Sequence, residues 1–296
     1  MPRLLYFLIV FCFAFSTHAS ASPSTPLISL LQFLKMRLAE IKTIDANGVE
    51  GNALRLEDIC PVDTDPVSRR IFFEYGAAYA AIESVTFPQN CMYPDDKSVR
   101  AYQESILPKT ATIEGVTIEL QEVAMDALLA TANEARQVNL RITPLDGTIA
   151  GKRTFADTER IWKSRFQRAL DHWVAKRKIS NKEARLVRRM SYHFQVKRVL
   201  HWESKGWYFS TDFSRSIFSA TAPPGTSQHL SLLAFDVAEH ENPDVVKLMN
   251  KNGWYRTILN DLPHFTYLGL AENELPKRGL RVMVKNGIQF WIPNDK

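Results

Sequence analysis

No apolar run in this chain reaches the ~20 residues that a helix needs to cross a bilayer. The longest stretches from Leu4 to Phe15, which argues against a permanent anchor. Neither a P-loop nor a dinucleotide fingerprint is present, so nucleotide-dependent chemistry is not indicated. No internal repeat or low-complexity tract stands out. Cysteine is scarce, at 3 in 296 residues. What is present is globular in character: 45% apolar and 23% charged residues exclude a mostly disordered protein and suffice for a buried core.

The apolar run follows a positive start at Arg3 and ends in Ala19-Ser20-Ala21, a small-x-small cleavage pattern. Residues 1–21 therefore read as a secretory signal peptide, and the mature chain is expected in the periplasm or cell envelope with no membrane span. Cys12 lies inside this leader and has no assigned role. Its removal leaves Cys60 and Cys91. In an exported protein the pair is expected to be bridged, with two unbridged thiols as the alternative. Nucleic acid is not an expected partner outside the cell.

Apolar spacing predicts a helix over 27–41 and another over 67–82 near Pro66, followed by a loop that holds Cys91. Residues 22–117 accordingly read as an N-terminal helical extension. From 118 to 296 the pattern is mixed. Strands are expected at 116–120, 138–142, 206–211, 233–237 and 264–268, with helices at 124–136, 155–176 and 181–195. Asn286-Gly287 between apolar-rich runs at 281–285 and 288–292 predicts a type I′ hairpin. Short strands mixed with helices, without regular βαβ alternation, point to an α+β fold: a small antiparallel sheet flanked by helices.

Two stretches carry the chemistry: Pro224-Gly225-Thr226-Ser227-Gln228-His229, running on to Ala234-Phe235-Asp236, and Asp261-Leu262-Pro263-His264-Phe265. His229 and Asp236 are not spaced like a helical H-E-x-x-H pair. They suit a loop histidine leading into a strand, with His264 opening a neighbouring strand. Two imidazoles and a carboxylate are proper Zn²⁺ ligands and leave a fourth position open. Asp261, three residues before His264, reads as the general base that takes a proton from water and returns it to a leaving amine. No Gly-x-Ser-x-Gly elbow surrounds Ser227, whose hydroxyl is expected to support the site by a hydrogen bond. His172, His193, His201 and His240 have no matching partners and are expected to be structural or exposed.

These residues resemble the VanY-type D-alanyl-D-alanine carboxypeptidase family of zinc D,D-peptidases, with its lysostaphin/D-Ala-D-Ala/hedgehog-like zinc fold. That family's pattern is S-x-H-x-x-G-x-A-x-D, often after P-G, then a carboxylate-x-x-H followed by an aromatic. Here it reads Pro224-Gly225, Ser227, His229, Ala234 and Asp236, then Asp261, His264 and Phe265, with Gly253-Trp254 between. The glycine of the first motif is Leu232 in this chain. The resemblance covers residues 118–270 or so. It implies His229, Asp236 and His264 as zinc ligands, Asp261 as catalytic base, and peptidoglycan stem peptides as substrates. The family's upstream S-G-Y-R-S segment looks like Ala150-Gly151-Lys152-Arg153-Thr154. By that likeness Arg153 sits over the site and anchors a substrate carboxylate or developing oxyanion, a task that suits a guanidinium.

Between His172 and Trp202 nine lysines and arginines face a single acid, Glu183. This stretch is either a solvated face or a peripheral contact with anionic cell-wall polymer or membrane surface. Two other function classes stay open beside the hydrolase. One is a catalytically silent peptidoglycan-binding protein on the same scaffold; the other is a structural protein with a coincidental His/Asp/His set.

Overall fold

The computed structural model describes residues 28–44, 50–219 and 221–296. The leader expected at 1–21, and Cys12 with it, lies outside the described residues. Among those described, no helix is long and apolar enough to cross a membrane.

Ser29 starts the first helix, α1 (Leu30–Ala39), through a reciprocal cap. Its hydroxyl accepts from the Gln32 N–H while the Gln32 side chain accepts from its own. Such caps stabilise a helix by about 1 kcal/mol. Leu30, Leu34 and Leu38 form its buried stripe. The start of α1 is also fixed from the far end of the chain: the Leu30 N–H donates to the Asn294 carbonyl, and the Asn294 amide to that of Ile28. Strands β1 (Lys42–Ile44) and β2 (Glu50–Ala53) pair antiparallel. Helices α2 (Leu56–Ile59) and α3 (Pro66–Tyr75) follow, the latter continuing as a 3₁₀ turn to Ala80. Cys60 and Cys91 are bridged, with Cα atoms 5.3 Å apart, and α4 (Asp96–Glu104) lies beyond the loop that holds Cys91.

Strands β3 (Pro108–Ile113) and β4 (Val116–Gln121) form a hairpin and lead into α5 (Glu122–Gln137). The strand expected at 138–142 is absent. Asn139 takes a left-handed backbone (φ 57°), and the N–H groups of Leu140 and Asn139 bond back to the carbonyls of Ala135 and Arg136. That pattern is a Schellman cap. The apolar residues there close a helix.

The next helices are α6 (Phe155–Ala175), α7 (Asn181–Val187) and α8 (Tyr192–Glu203). The helix expected at 181–195 is thus broken at 188–191. Gln195 fixes the break by accepting from the Trp162 indole and donating to the Met190 carbonyl. The strand expected at 206–211 is instead a turn closed by Ser210, Asp212 and Ser214. Its apolar spacing serves packing: Phe209 stacks on Trp202 and Phe166 at centroid distances of 5.5 and 5.9 Å.

The remaining elements are β5 (Ala234–Asp236), α9 (Pro243–Lys251), β6 (Trp254–Tyr255), β7 (His264–Tyr267), β8 (Leu280–Lys285) and β9 (Ile288–Pro293). The fold is α+β. Its central sheet is antiparallel in the order β5-β7-β6, and every residue of these strands is buried. Hairpin β8–β9 turns at Asn286 (φ 51°) and Gly287 (φ 77°), the two positive φ values that a type I′ turn requires. One apolar core takes Leu34, Phe72 and Tyr79 from before residue 117 and Phe235, Trp254 and Leu268 from after it.

Candidate metal centre

The sheet register brings two of the expected ligands together. Asp236 ends β5, His264 begins β7, and the two are direct cross-strand partners. The Asp236 carbonyl accepts from the Leu145 N–H, which fixes the strand end. His229 comes from a 3₁₀ turn over Gln228–Ser231. Ahead of that turn, Gly225 (φ 83°) passes so close to Tyr93 that a Cβ would lie 2.0 Å from its carbonyl oxygen. The Tyr93 N–H in turn donates to the Gly225 carbonyl. The glycine of Pro224-Gly225 is therefore required by contact as well as by φ.

His229 Nε2, His264 Nδ1 and Asp236 Oδ1 form a triangle with edges of 3.1, 3.2 and 3.3 Å. Ligands ~2.0–2.1 Å from a tetrahedral zinc have mutual separations of about 3.3–3.4 Å. Proton placement makes the case stronger. His229 Nδ1 lies 2.7 Å from the Gly151 carbonyl, which can only accept, so the ring proton is there and Nε2 holds a lone pair. His264 Nε2 lies 2.8 Å from Gln228 Oε1. That amide is oriented by its own Nε2 donating to the Tyr75 carbonyl and by the Thr266 hydroxyl donating to Oε1. His264 Nε2 therefore carries the proton, and Nδ1 holds a lone pair. Three buried acceptors point at one another with no proton among them. Such a set calls for a cation, and the donors suit zinc.

Burial, reinforced by the Arg153 charge, pushes the His229 pKa down to about 4, so the ring stays neutral at physiological pH.

Asp261 stands in a turn after Asn260 (φ 70°), half-buried, and lines the same 340 Å³ cleft as the three ligands. Among the described residues its carboxylate has no hydrogen-bond or ion-pair partner. Burial raises its pKa; the nearby Asp236 adds to this, while His264 and Arg153 oppose it. Arg153 borders the cleft too, but most of its guanidinium is engaged. Nη2 pairs with Asp236 Oδ2 at 2.5 Å and Nε donates to the Ile149 carbonyl, leaving Nη1 unengaged among the described residues. Arg153 thus braces Asp236 directly.

Ser227 differs from expectation. It lines the cleft, yet among the described residues its hydroxyl makes no hydrogen bond; its carbonyl serves the turn by accepting from the Leu230 N–H. His193 pairs with Asp65 and His172 stacks on Phe213, both away from the metal ligands. In the basic stretch, Arg188 pairs with Asp171 and Arg198 with Glu183, which spends part of that charge internally.

Sequence reasoning missed three buried glutamines. Gln228 orients His264. Gln103 donates to the carbonyls of Arg153 and Leu230, and Gln121 to those of Thr86 and Ser231. Only Gln228, adjacent to His229, carried a positional hint.

No protein-family model matches the chain, and no curated protein matches it. Among solved structures, a mutant of the vancomycin resistance D,D-pentapeptidase VanY from a VanB-type resistance cassette, in complex with Zn(II), is similar over 66% of this chain and 90% of that one. The identity is 15% and the TM-score 0.35, a distant likeness of fold alone.

Proposed function

We propose that this chain is an exported zinc-dependent hydrolase that cleaves an amide next to a D-amino acid in peptidoglycan stem peptides, as a D,D-carboxypeptidase or endopeptidase. The observation that carries the reading is the set of three proton-free acceptors at the edge of a cleft that also holds a carboxylate, Asp261, with no partner among the described residues. A zinc ion bound there would supply Lewis acidity and bring the pKa of water toward ~7.

The chain's own residues supply the remaining steps. Gly151 and Gln228 fix the two imidazole tautomers, so no ligand must lose a ring proton or rotate on loading. Asp261 faces the cleft with a raised pKa and can take a proton from the attacking water and pass it to the leaving nitrogen. Arg153 neutralises the outer oxygen of Asp236, and its remaining Nη1 is available to negative charge developing in the cleft. Export is supported by the leader pattern at 1–21 and agrees with the bridged Cys60–Cys91 pair.

The test joins metal analysis to digestion of purified muropeptides by wild type, Asp261→Ala and His229→Ala. The expected result is one zinc per chain in wild type and in Asp261→Ala, cleavage by wild type alone, and metal loss in His229→Ala. Bound zinc with no cleavage of any stem peptide would leave a silent peptidoglycan-binding protein. Failure to bind zinc would refute the metal centre itself.

A further inference from the structure

Resting on the peptidase reading above, we propose that Arg160 and Arg165 of α6 recognise a second carboxylate of the substrate, so that preferred peptides carry an acidic side chain near the scissile bond. Both arginines line the 340 Å³ cleft that holds the metal ligands, on either side of Ile161. Five residues apart on a helix, they are spaced about 7.5 Å along its axis. Their platform is rigid. Thr154 caps α6 through a reciprocal bond with Asp157, Trp162 and Phe166 stack on the buried side at 5.7 Å, and the Trp162 indole is bonded to Gln195.

Charge accounting favours an anionic ligand. Three arginines (Arg153, Arg160, Arg165) and three aspartates (Asp146, Asp236, Asp261) line the cleft, and a divalent ion would leave the whole at +2. Arg153 is committed to Asp236. Arg160 has one long contact, 3.4 Å, with Asp157, whose other oxygen already serves the Thr154 N–H and hydroxyl. Arg165 has no acidic partner among the described residues. Two exposed guanidinium groups on one braced helix, Arg160 with a single long carboxylate contact and Arg165 with no acidic partner among the described residues, suit an incoming carboxylate.

The test is a peptide panel ending in D-Ala-D-Ala, with Glu, Gln or Lys placed in turn at each of the three preceding positions, given to the zinc-loaded protein. At one position Glu should exceed Gln by about tenfold in kcat/KM, and the advantage should shrink as salt rises. The R160Q/R165Q variant should bring that ratio to within about twofold, and R160E/R165E should turn the preference toward Lys. Both sites are exposed, and melting curves would verify the fold. A Glu/Gln ratio near one at every position, or a ratio that survives R160Q/R165Q, overturns the proposal. If none of the peptides is cut, the peptidase reading fails separately. The same ratio is then read from equilibrium binding to the zinc-loaded protein, where equal affinities for Glu and Gln peptides also overturn it.

Discussion

Leu232 is fully buried and sits at φ 58°, a left-handed conformation that costs a residue with a Cβ roughly 1–2 kcal/mol. It is held by packing with Tyr93, Val99, Tyr102, Ile106, Phe155 and Leu230, since burying a leucine side chain contributes about 1.5–3 kcal/mol. Packing matches or exceeds the strain, which explains how leucine occupies a position where the family motif has glycine. An unusual ranking follows. Leu232→Ala loses the packing and keeps the strain, whereas Leu232→Gly loses the packing and relieves it. Glycine should therefore be the more stable of the two variants by about 1 kcal/mol, the reverse of the usual order, and urea denaturation would measure it. An alanine variant at least as stable as the glycine one would show that φ at 232 is not strained. Gln228→Leu should weaken zinc binding by about 10–100-fold, because the His264 tautomer would lose its anchor; competition with a chromogenic chelator reads this directly. The His229, Asp236 and His264 cluster was legible because its members fall in two compact motifs. Gln228 and the Gly151 carbonyl were not, because their roles come from contacts between segments that local patterns do not encode.

Among the elements, α3 shows how one side chain both starts a helix and responds to pH. Asp65 accepts from the N–H groups of Val67 and Ser68 and from the Ser68 hydroxyl. Burial alone would raise its pKa, but the bonds from Ser68 and His193 outweigh that and bring it to about 2. The unfolded value is ~3.9. A depressed carboxyl stabilises the fold above the unfolded value, and that contribution fades as pH falls from about 4 toward 2. Asp65→Ala should thus cost about 1 kcal/mol at neutral pH, and its melting curve should converge on that of wild type below pH 4. A gap that persists at pH 2 would contradict the assignment. Elements with strong local signals were legible: the capped helices and the Asn-Gly hairpin follow from residues next to one another. The segments at 138–142 and 206–211 were misread because their apolar residues close a helix or pack on one, which gives the spacing of a strand without a pairing partner.

For the whole molecule, the Cys60–Cys91 bridge braces the loop through which the 22–117 segment reaches the candidate metal centre. Tyr93, two residues after Cys91, holds Gly225 by a backbone hydrogen bond just before His229. Replacing both cysteines by serine should lower stability by about 3–4 kcal/mol, given a 31-residue separation. Zinc affinity should fall with it, since the turn carrying His229 loses part of its support; calorimetry with and without reductant checks both. Zinc at a hundredfold excess over its Kd should add about 2.7 kcal/mol to the folded state, and EDTA should reverse the shift in melting temperature. No shift with zinc would count against a site that is already assembled in the fold. The tie between Ile28, Leu30 and Asn294 bears on timing. A ribosome makes Ile28, at the entry to α1, 266 residues before the asparagine whose amide secures it. During synthesis that entry must wait without its partner, and His229, Asp236 and His264 also arrive late. Closure of the fold, and with it assembly of the His229, Asp236 and His264 cluster, therefore waits until the segment carrying Asn294 is present.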